Sequence, residues 1–323
     1  MEFLADVPCH PISVDHLSTF HGLPVHTFPG LDDARPLPED PGSVAWRLSF
    51  DDGETDEEYW DRFLATVPPE SVRALVFGYP WYGIDDTEDG AITPLVEAAP
   101  RLTSLEAVFL GDVVAEESEI SWIEHVDLTP FLAAHPRLRE LGVRGAQGLV
   151  FPAAGHEGLR TLRFETGGLP SSVLRDVLAG DLPSLECLEL WLGSQWYEGD
   201  VSVADLQPLL SGGRLPALRH LGLQNSELQN EIAAAVAHAP VVAQLESLRL
   251  SMGVLDETGA EALLGGQPLT HLRYLDLRDN FLPDAMLPRL WESLEPAGVR
   301  VDLSPQKKPG RRDPEERYIT VAE

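Results

Sequence analysis

The sequence predicts an α/β repeat protein in which one parallel sheet of about ten short strands is backed by helices. Three observations carry this expectation. A short apolar pattern recurs along most of the 323 residues. Its copies lie 21 to 33 residues apart, a period that marks stacked repeat units. Helix-like segments fill most of the intervals.

The pattern is clearest in "LRYLDLRDN" (272–280), with leucines at its first, fourth and sixth places and an asparagine at its ninth. It recurs as "LRELGV" (138–143), "LRTLRF" (159–164), "LECLEL" (185–190), "LRHLGL" (218–223) and "LESLRL" (245–250). Looser copies are "AWRLSF" (45–50), "VRALVF" (72–77), "LEAVFL" (105–110) and "GVRVDL" (298–303). Aligned on the fourth place, they give Leu48, Leu75, Val108, Leu141, Leu162, Leu188, Leu221, Leu248, Leu275 and Val301. Side chains alternate along a strand, so places four and six point to one side. Place one lies on the approach to the strand and fills the same core. A unit this small cannot bury its own apolar side, so stacking makes the core. The pattern resembles the leucine-rich repeat, L-x-x-L-x-L-x-x-N, over residues 45 to 303.

Between the strands, "TDEEYWDRFLATV" (55–67), "SSVLRDVLAG" (171–180), "VADLQPLLSG" (203–212), "QNEIAAAVAHA" (229–239), "DETGAEALLGG" (256–266) and "PDAMLPRLWESL" (283–294) read as helices. Several open with Asp, Ser or Pro and close with Gly, as helix boundaries do. A helix is about 10 Å across, whereas neighbouring strands are about 4.8 Å apart. Helices on one side and strands on the other therefore bend the stack, with the parallel sheet concave and the helices convex. Parallel crossovers make it right-handed. The long repeats resemble the ribonuclease-inhibitor type of horseshoe. Two departures stand out. The ninth-place asparagine occurs only as Asn280, so no asparagine ladder is expected. The shortest interval holds "GAQGLVFPAAGHEG" (145–158), whose glycines and prolines predict extended chain in place of a helix.

Residues 1–40 carry no copy of the pattern and read as an N-terminal cap, with "FHGLPVHTFPG" (20–30) their most ordered-looking part. Residues 41–303 form the repeat region. Residues 304–323 begin as a polar, proline-interrupted tail and end in "YITVAE", a strand-like stretch expected to dock on the last repeat. Taken together, "FHGLPV", "FLATV", "FLGD", "EISWI", "ETGGLP", "GLQNSE", "LSMG", "QPLTHLRYLDL", "LEPAGV" and "RYITVAE" resemble an uncharacterised family of bacterial leucine-rich repeat proteins along nearly the whole chain. That resemblance implies the architecture and brings no mechanism.

The net charge of −30, from 53 acidic against 23 basic residues, opposes nucleic acid and anionic lipid as partners, since both are held by cationic contacts to phosphate. Hydrophobic residues at 43% supply an ample core. No window approaches the ~20 apolar residues that span a bilayer. The opening "MEFLADVPCHPISVDHL" has neither the basic start nor the apolar run of a signal peptide, so a cytoplasmic location is expected. Cys9 and Cys187 are far apart and suggest no disulfide framework.

Catalytic and cofactor motifs are missing. No phosphate-binding glycine loop, H-E-x-x-H pair or G-x-S-x-G elbow occurs. "DDTEDG" (85–90) starts like a calcium loop, but the required twelfth-place glutamate falls on Val96, so a solvated acidic loop is expected. Cys9, His10, His16, His21 and His26 lack zinc spacing apart from His16 and His21, and read as ordinary cap residues. His220, on a strand, has no nucleophile and acid beside it in sequence.

What remains is surface. Places three, five and seven would face the concave side, carrying Arg144, Arg163, Glu165, Glu189, Trp191, His220, Gln224, Arg249, Tyr274, Asp276 and Arg278. A solvated face with cross-strand ion pairs is the plain alternative. The aromatics and arginines among them match the makeup of interface anchors. The three longest intervals would place loops on one rim, bringing Trp81, Tyr82, Trp122, Trp196 and Tyr197 among carboxylates. Trp122, between Ile120 and Ile123, is expected to pack; the other four are open to packing or recognition. The expectation is thus a non-catalytic scaffold gripping a neutral or basic protein or peptide through Trp81, Tyr82, Arg163, Glu189, Trp191, Trp196, Tyr197, Arg249 and Tyr274. The alternative is an enzyme acting on a small molecule, or an accessory subunit of one, with a divalent cation held by rim carboxylates.

Overall fold

The structure, a computed structural model, describes residues 14–31, 33, 35–50, 53–82, 90–309 and 316–323. Cys9, His10 and most of the calcium-like loop lie outside the described residues. Among them is one α/β sheet of twelve strands, lying in sequence order and not closed into a barrel. β1 (Thr19–Phe20) and β2 (Leu23–Thr27) form an antiparallel hairpin through His21 and Gly22, both at positive φ. The next ten strands fall on the ten copies of the sequence pattern. They are β3 (Ala45–Leu48), β4 (Ala74–Phe77), β5 (Ala107–Leu110), β6 (Glu140–Arg144), β7 (Thr161–Glu165), β8 (Cys187–Gly193), β9 (His220–Ser226), β10 (Ser247–Arg249), β11 (Tyr274–Asp276) and β12 (Arg300–Asp302). Contacts divide the described chain into two compact units, 14–164 with 180–182 and 165–179 with 183–322.

In the N-terminal unit, β2 pairs parallel with β3, so residues 23–27 lie along the edge of the first repeat strand. Leu75 pairs with Val108 and Val108 with Leu141, the alignment that the pattern predicts. The first copy is different. Trp46, not Leu48, stands opposite Leu75, and Leu48 pairs with Phe77. A shift of two keeps every side chain on its own face, so the leucine spacing of "AWRLSF" could not reveal it. Trp46 packs edge-on against Phe28 and Phe63 in an aromatic core.

The helices of this unit are α1 (Asp56–Thr66), α2 (Ile92–Ala98) and α3 (Thr129–Ala134). A capping box holds the start of α1: Thr55 accepts from the Glu58 amide, and the Glu58 carboxylate accepts from the Thr55 amide. No helix forms between β6 and β7, as the glycine and proline content predicts. Extended chain bridges Glu124 to Gln147 and Asp127 to Val150 there.

In the C-terminal unit, Leu188, Leu221, Leu248, Leu275 and Val301 stand in one row across β8 to β12. Helices α4 (Ser171–Ala179), α5 (Gln207–Leu210), α6 (Gln229–Val236), α7 (Glu257–Gly265) and α8 (Met286–Leu294) fill the intervals, α7 packing between α6 and α8. The single pattern asparagine does the backbone work of its place: the Asn280 amide donates to Leu250 O and Leu277 O and accepts from the Leu255 amide. Cys187 is disulfide-bonded, which the cysteine spacing did not suggest. Near the end of the described residues, Thr320 and Val321 are bonded to Met252 and Asn225. Among the described residues no helix is long and apolar enough to cross a membrane.

The row of leucines makes a direct prediction. Leu221 is buried, so Leu221→Ala should cost about 2–5 kcal/mol through lost burial and a cavity. The exposed Glu227 should cost within about 0.5 kcal/mol as Glu227→Ala. Denaturant melts giving equal losses would contradict the register.

Candidate functional site

The face of the sheet opposite the leucine row is filled in both units, which changes the meaning of most of the expected site residues. In the N-terminal unit that face carries Ala74, Val76, Ala107 and Phe109. Phe20, Leu17, Leu23 and Val25 pack onto it, Phe20 meeting Phe109 edge-on at 5.9 Å. Asp112, fully buried just past β5, pins this segment. It accepts from the Leu17 amide at 3.0 Å and from Arg47 Nε at 2.7 Å. Arg47 also donates to Leu17 O at 2.7 Å. Burial alone would raise the Asp112 carboxyl, but the His16 hydrogen bond and the charges of Arg47 and Arg144 hold it below its ordinary value. The same hydrogen bond raises His16.

In the C-terminal unit the corresponding face carries charge and aromatic rings, and it is buried too. Glu189 of β8 and Arg249 of β10 form an ion pair at 3.0 Å. They lie two strands apart, with Gly222 of β9 in register between them. A Cβ at Gly222 would sit 3.2 Å from Glu189 Cγ and 2.5 Å from Gln224 Oε1, so the glycine opens the space through which the pair meets. Arg249 lies 5.6 Å from the centre of the Tyr274 ring. Burial raises the Tyr274 hydroxyl well above its ordinary range. Trp191, the expected central anchor, is 1% exposed; in the N-terminal unit Arg163 of β7 is buried as well. Alternation aims these side chains where the sequence predicts, but their face is not open to solvent.

The rim aromatics separate into two kinds. Trp81 packs edge-on against Phe77 at 5.4 Å and Phe50 at 6.2 Å, while Tyr82 lies 4.9 Å from His125; both are buried. Trp196 is 88% exposed and Tyr197 half-buried. They sit on a short 3-10 turn, Gln195–Tyr197, whose start is capped by Ser194 Oγ accepting from the Trp196 amide at 3.2 Å. Ser194 Oγ in turn donates to Glu227 at 3.0 Å. Glu198 and Asp200, both exposed, follow the turn in sequence, the Asp200 carboxylate accepting from Ser171, and exposed Glu227 reaches the turn through Ser194. Trp122 departs from expectation: Ile120 and Ile123 are buried, and the turn leaves the tryptophan between them 52% exposed.

No protein-family model matches the chain, and no curated protein does. Among solved structures, a Bacteroides fragilis protein determined in a structural genomics programme matches with a TM-score of 0.73 and 32% identity, over 82% of this chain and 76% of that one. This chain belongs to the same family. The description of that relative names no activity, ligand or partner.

Several titratable groups of this chain are buried against internal partners. His125 is held near a pKa of about 4 by burial; its Nε2 donates to Arg144 O at 2.8 Å, which fixes the neutral tautomer. His220 is also lowered to about 4, by burial, and pairs with Ser247 Oγ at 2.8 Å. Asp276 accepts from Arg278 at 2.9 and 3.0 Å. Among the described residues, no three His, Cys, Asp or Glu side chains converge as a metal-binding group. Sequence reasoning missed Asp112, whose signal was local: "RALVF" and "EAVFL" are apolar at both parities, as strands covered on two faces are.

Burial ranks the ion pairs. Arg249→Met strands a buried glutamate and should cost about 3–5 kcal/mol. Arg273, paired with Glu246 at 3.2 Å on the surface, should cost about 0–1 kcal/mol as Arg273→Met. Chemical denaturation of the two variants tests this, and similar losses would mean that Glu189 is solvated.

Proposed function

We propose that the chain is a non-catalytic interaction scaffold: a right-handed leucine-rich repeat solenoid of the horseshoe type that grips a protein or peptide by its rim. The observation that carries this reading is Trp196, 88% exposed on a capped turn. A tryptophan in water gains on binding both from its large apolar area and from its few rotatable bonds, and tryptophan is enriched among interface hot spots. Tyr197 beside it and the carboxylates of Glu198, Asp200 and Glu227 favour a neutral or basic partner, as does the net charge of −30.

Glu189, Trp191, Arg249 and Tyr274 then act as frame. They fill the inner side of the sheet and hold the strands in register, while Trp81 packs on Phe77 and Phe50 and Tyr82 on His125. The reading is non-catalytic because the buried charges are committed to internal partners, as Glu189 is to Arg249 and Asp276 to Arg278.

Affinity capture with the wild-type chain, Trp196→Ala and Trp291→Ala tests it. Trp291 is 50% exposed on α8 and serves as the control for exposed tryptophan in general. A partner retained by wild type and Trp291→Ala should be lost by Trp196→Ala, whose affinity falls by about 2 kcal/mol or more, roughly thirtyfold. Capture that is insensitive to Trp196 would remove this turn as the site.

A further inference from the structure

Residues 318–322 lie along the ends of the strands in the C-terminal unit as an extended segment, and they are held mainly through their main chain. The Asn225 side chain accepts from the Val321 amide at 2.9 Å and donates to Val321 O at 2.5 Å, taking both backbone groups of one residue. Met252 O accepts from the Thr320 amide at 2.9 Å and from Thr320 Oγ1 at 3.0 Å. Ile319 and Val321, two residues apart, are buried on the same side. Gly167 closes the far end, where an added Cβ would lie 2.1 Å from Ala322 O.

The receiving edge is itself built by repetition. Asn225, Met252 and Asp279 each stand four places after Leu221, Leu248 and Leu275, and each has a positive φ, at 52°, 68° and 50°. Successive repeats thus make the same left-handed turn at the end of their strand or just beyond it. An asparagine that pairs with one residue's N–H and C=O recognises an extended backbone whatever side chain that residue bears. Side-chain selection comes from the two buried apolar positions. This is the division of labour found when an extended peptide adds to a protein edge.

We propose that the edge formed by Gly167, Asn225 and Met252 is a binding groove for an extended peptide with β-branched apolar residues two apart, and that residues 318–322 are its intramolecular occupant. The groove rests on its own contacts, independently of what binds Trp196. It adjoins that turn, since the backbone of Gly168 lies against Tyr197 O. An occupant on the same chain competes at an effective concentration on the order of millimolar. A partner segment therefore enters when its own affinity, or a second contact at the rim, outweighs that local supply.

The test uses full-length chain and a fluorescent peptide with the sequence of residues 317–323. In the double variant Ile319→Asp, Val321→Asp the chain's own segment cannot seat, and the peptide should bind at least about tenfold more tightly than to wild type. Adding Asn225→Gly keeps the positive φ and removes the amide, and should reduce that binding by about tenfold or more. Peptide carrying the same two aspartates should not bind. Equal binding by wild type and double variant, or no effect of Asn225→Gly, would overturn the proposal. Hydrogen exchange in the wild-type chain gives a second reading that no variant can spoil by misfolding. The Thr320 and Val321 amides should open locally while the β9 amides stay closed; opening only with global unfolding would make the segment part of the core and refute the groove.

Discussion

Lateral alignment of one apolar row per unit sets everything else in this fold. Leu75, Val108 and Leu141 stand abreast in one unit, and Leu188, Leu221, Leu248, Leu275 and Val301 in the other. Once that row faces the helices, alternation commits the neighbouring places to the opposite face. A parallel sheet is stable when both faces are covered, and each unit covers the second face in its own way. The N-terminal unit uses small and aromatic apolar residues under Phe20, pinned by Asp112. The C-terminal unit places ion pairs and rings there, with Gly222 making room for Glu189 and Arg249 to meet.

That second face is where sequence reasoning reached its limit. The ten repeat strands, six of the helices between them and the helix-free interval before β7 were legible because each depends on local periodicity or local turn chemistry; α2 and α3, in intervals that read as rim loops, were not. The first repeat's register was not, because Trp46 and Leu48 satisfy the same alternation. Exposure of single aromatics was also beyond reach. Trp81 and Trp196 occur in similar Trp-Tyr pairs on comparable loops, yet one meets Phe50 and Phe77 while the other meets water. Their difference depends in part on residues distant in sequence, Phe50 and Trp60. Alternation correctly gave the direction of Trp191, Arg249 and Tyr274, but direction alone does not say what lies at the end of it.

With the inner face filled, the recognition proposed above lies further out. A repeat protein with an open sheet would offer broad side-chain contact along its strands. Here the strand side chains are occupied, and what remains accessible is the edge beyond them: a capped turn presenting Trp196 among carboxylates, and a row of left-handed turns that already holds an extended segment. On the proposed reading, backbone groups and a few aromatic side chains would do the contacting at such an edge, while the charged residues inside keep the strands in place. The net charge of −30 opposes phosphate-bearing partners electrostatically, consistent with that proposal.

The central claim is that the sheet's inner side chains are internal and the rim turn is not. Hydroxyl-radical footprinting of the native chain, read at each of its seven tryptophans by mass spectrometry, tests this most directly. The account predicts rapid oxidation of Trp196, intermediate oxidation of Trp122 and Trp291, and protection of Trp46, Trp60, Trp81 and Trp191. Oxidation of Trp191 at a rate like that of Trp196, in chain that remains folded, would contradict it.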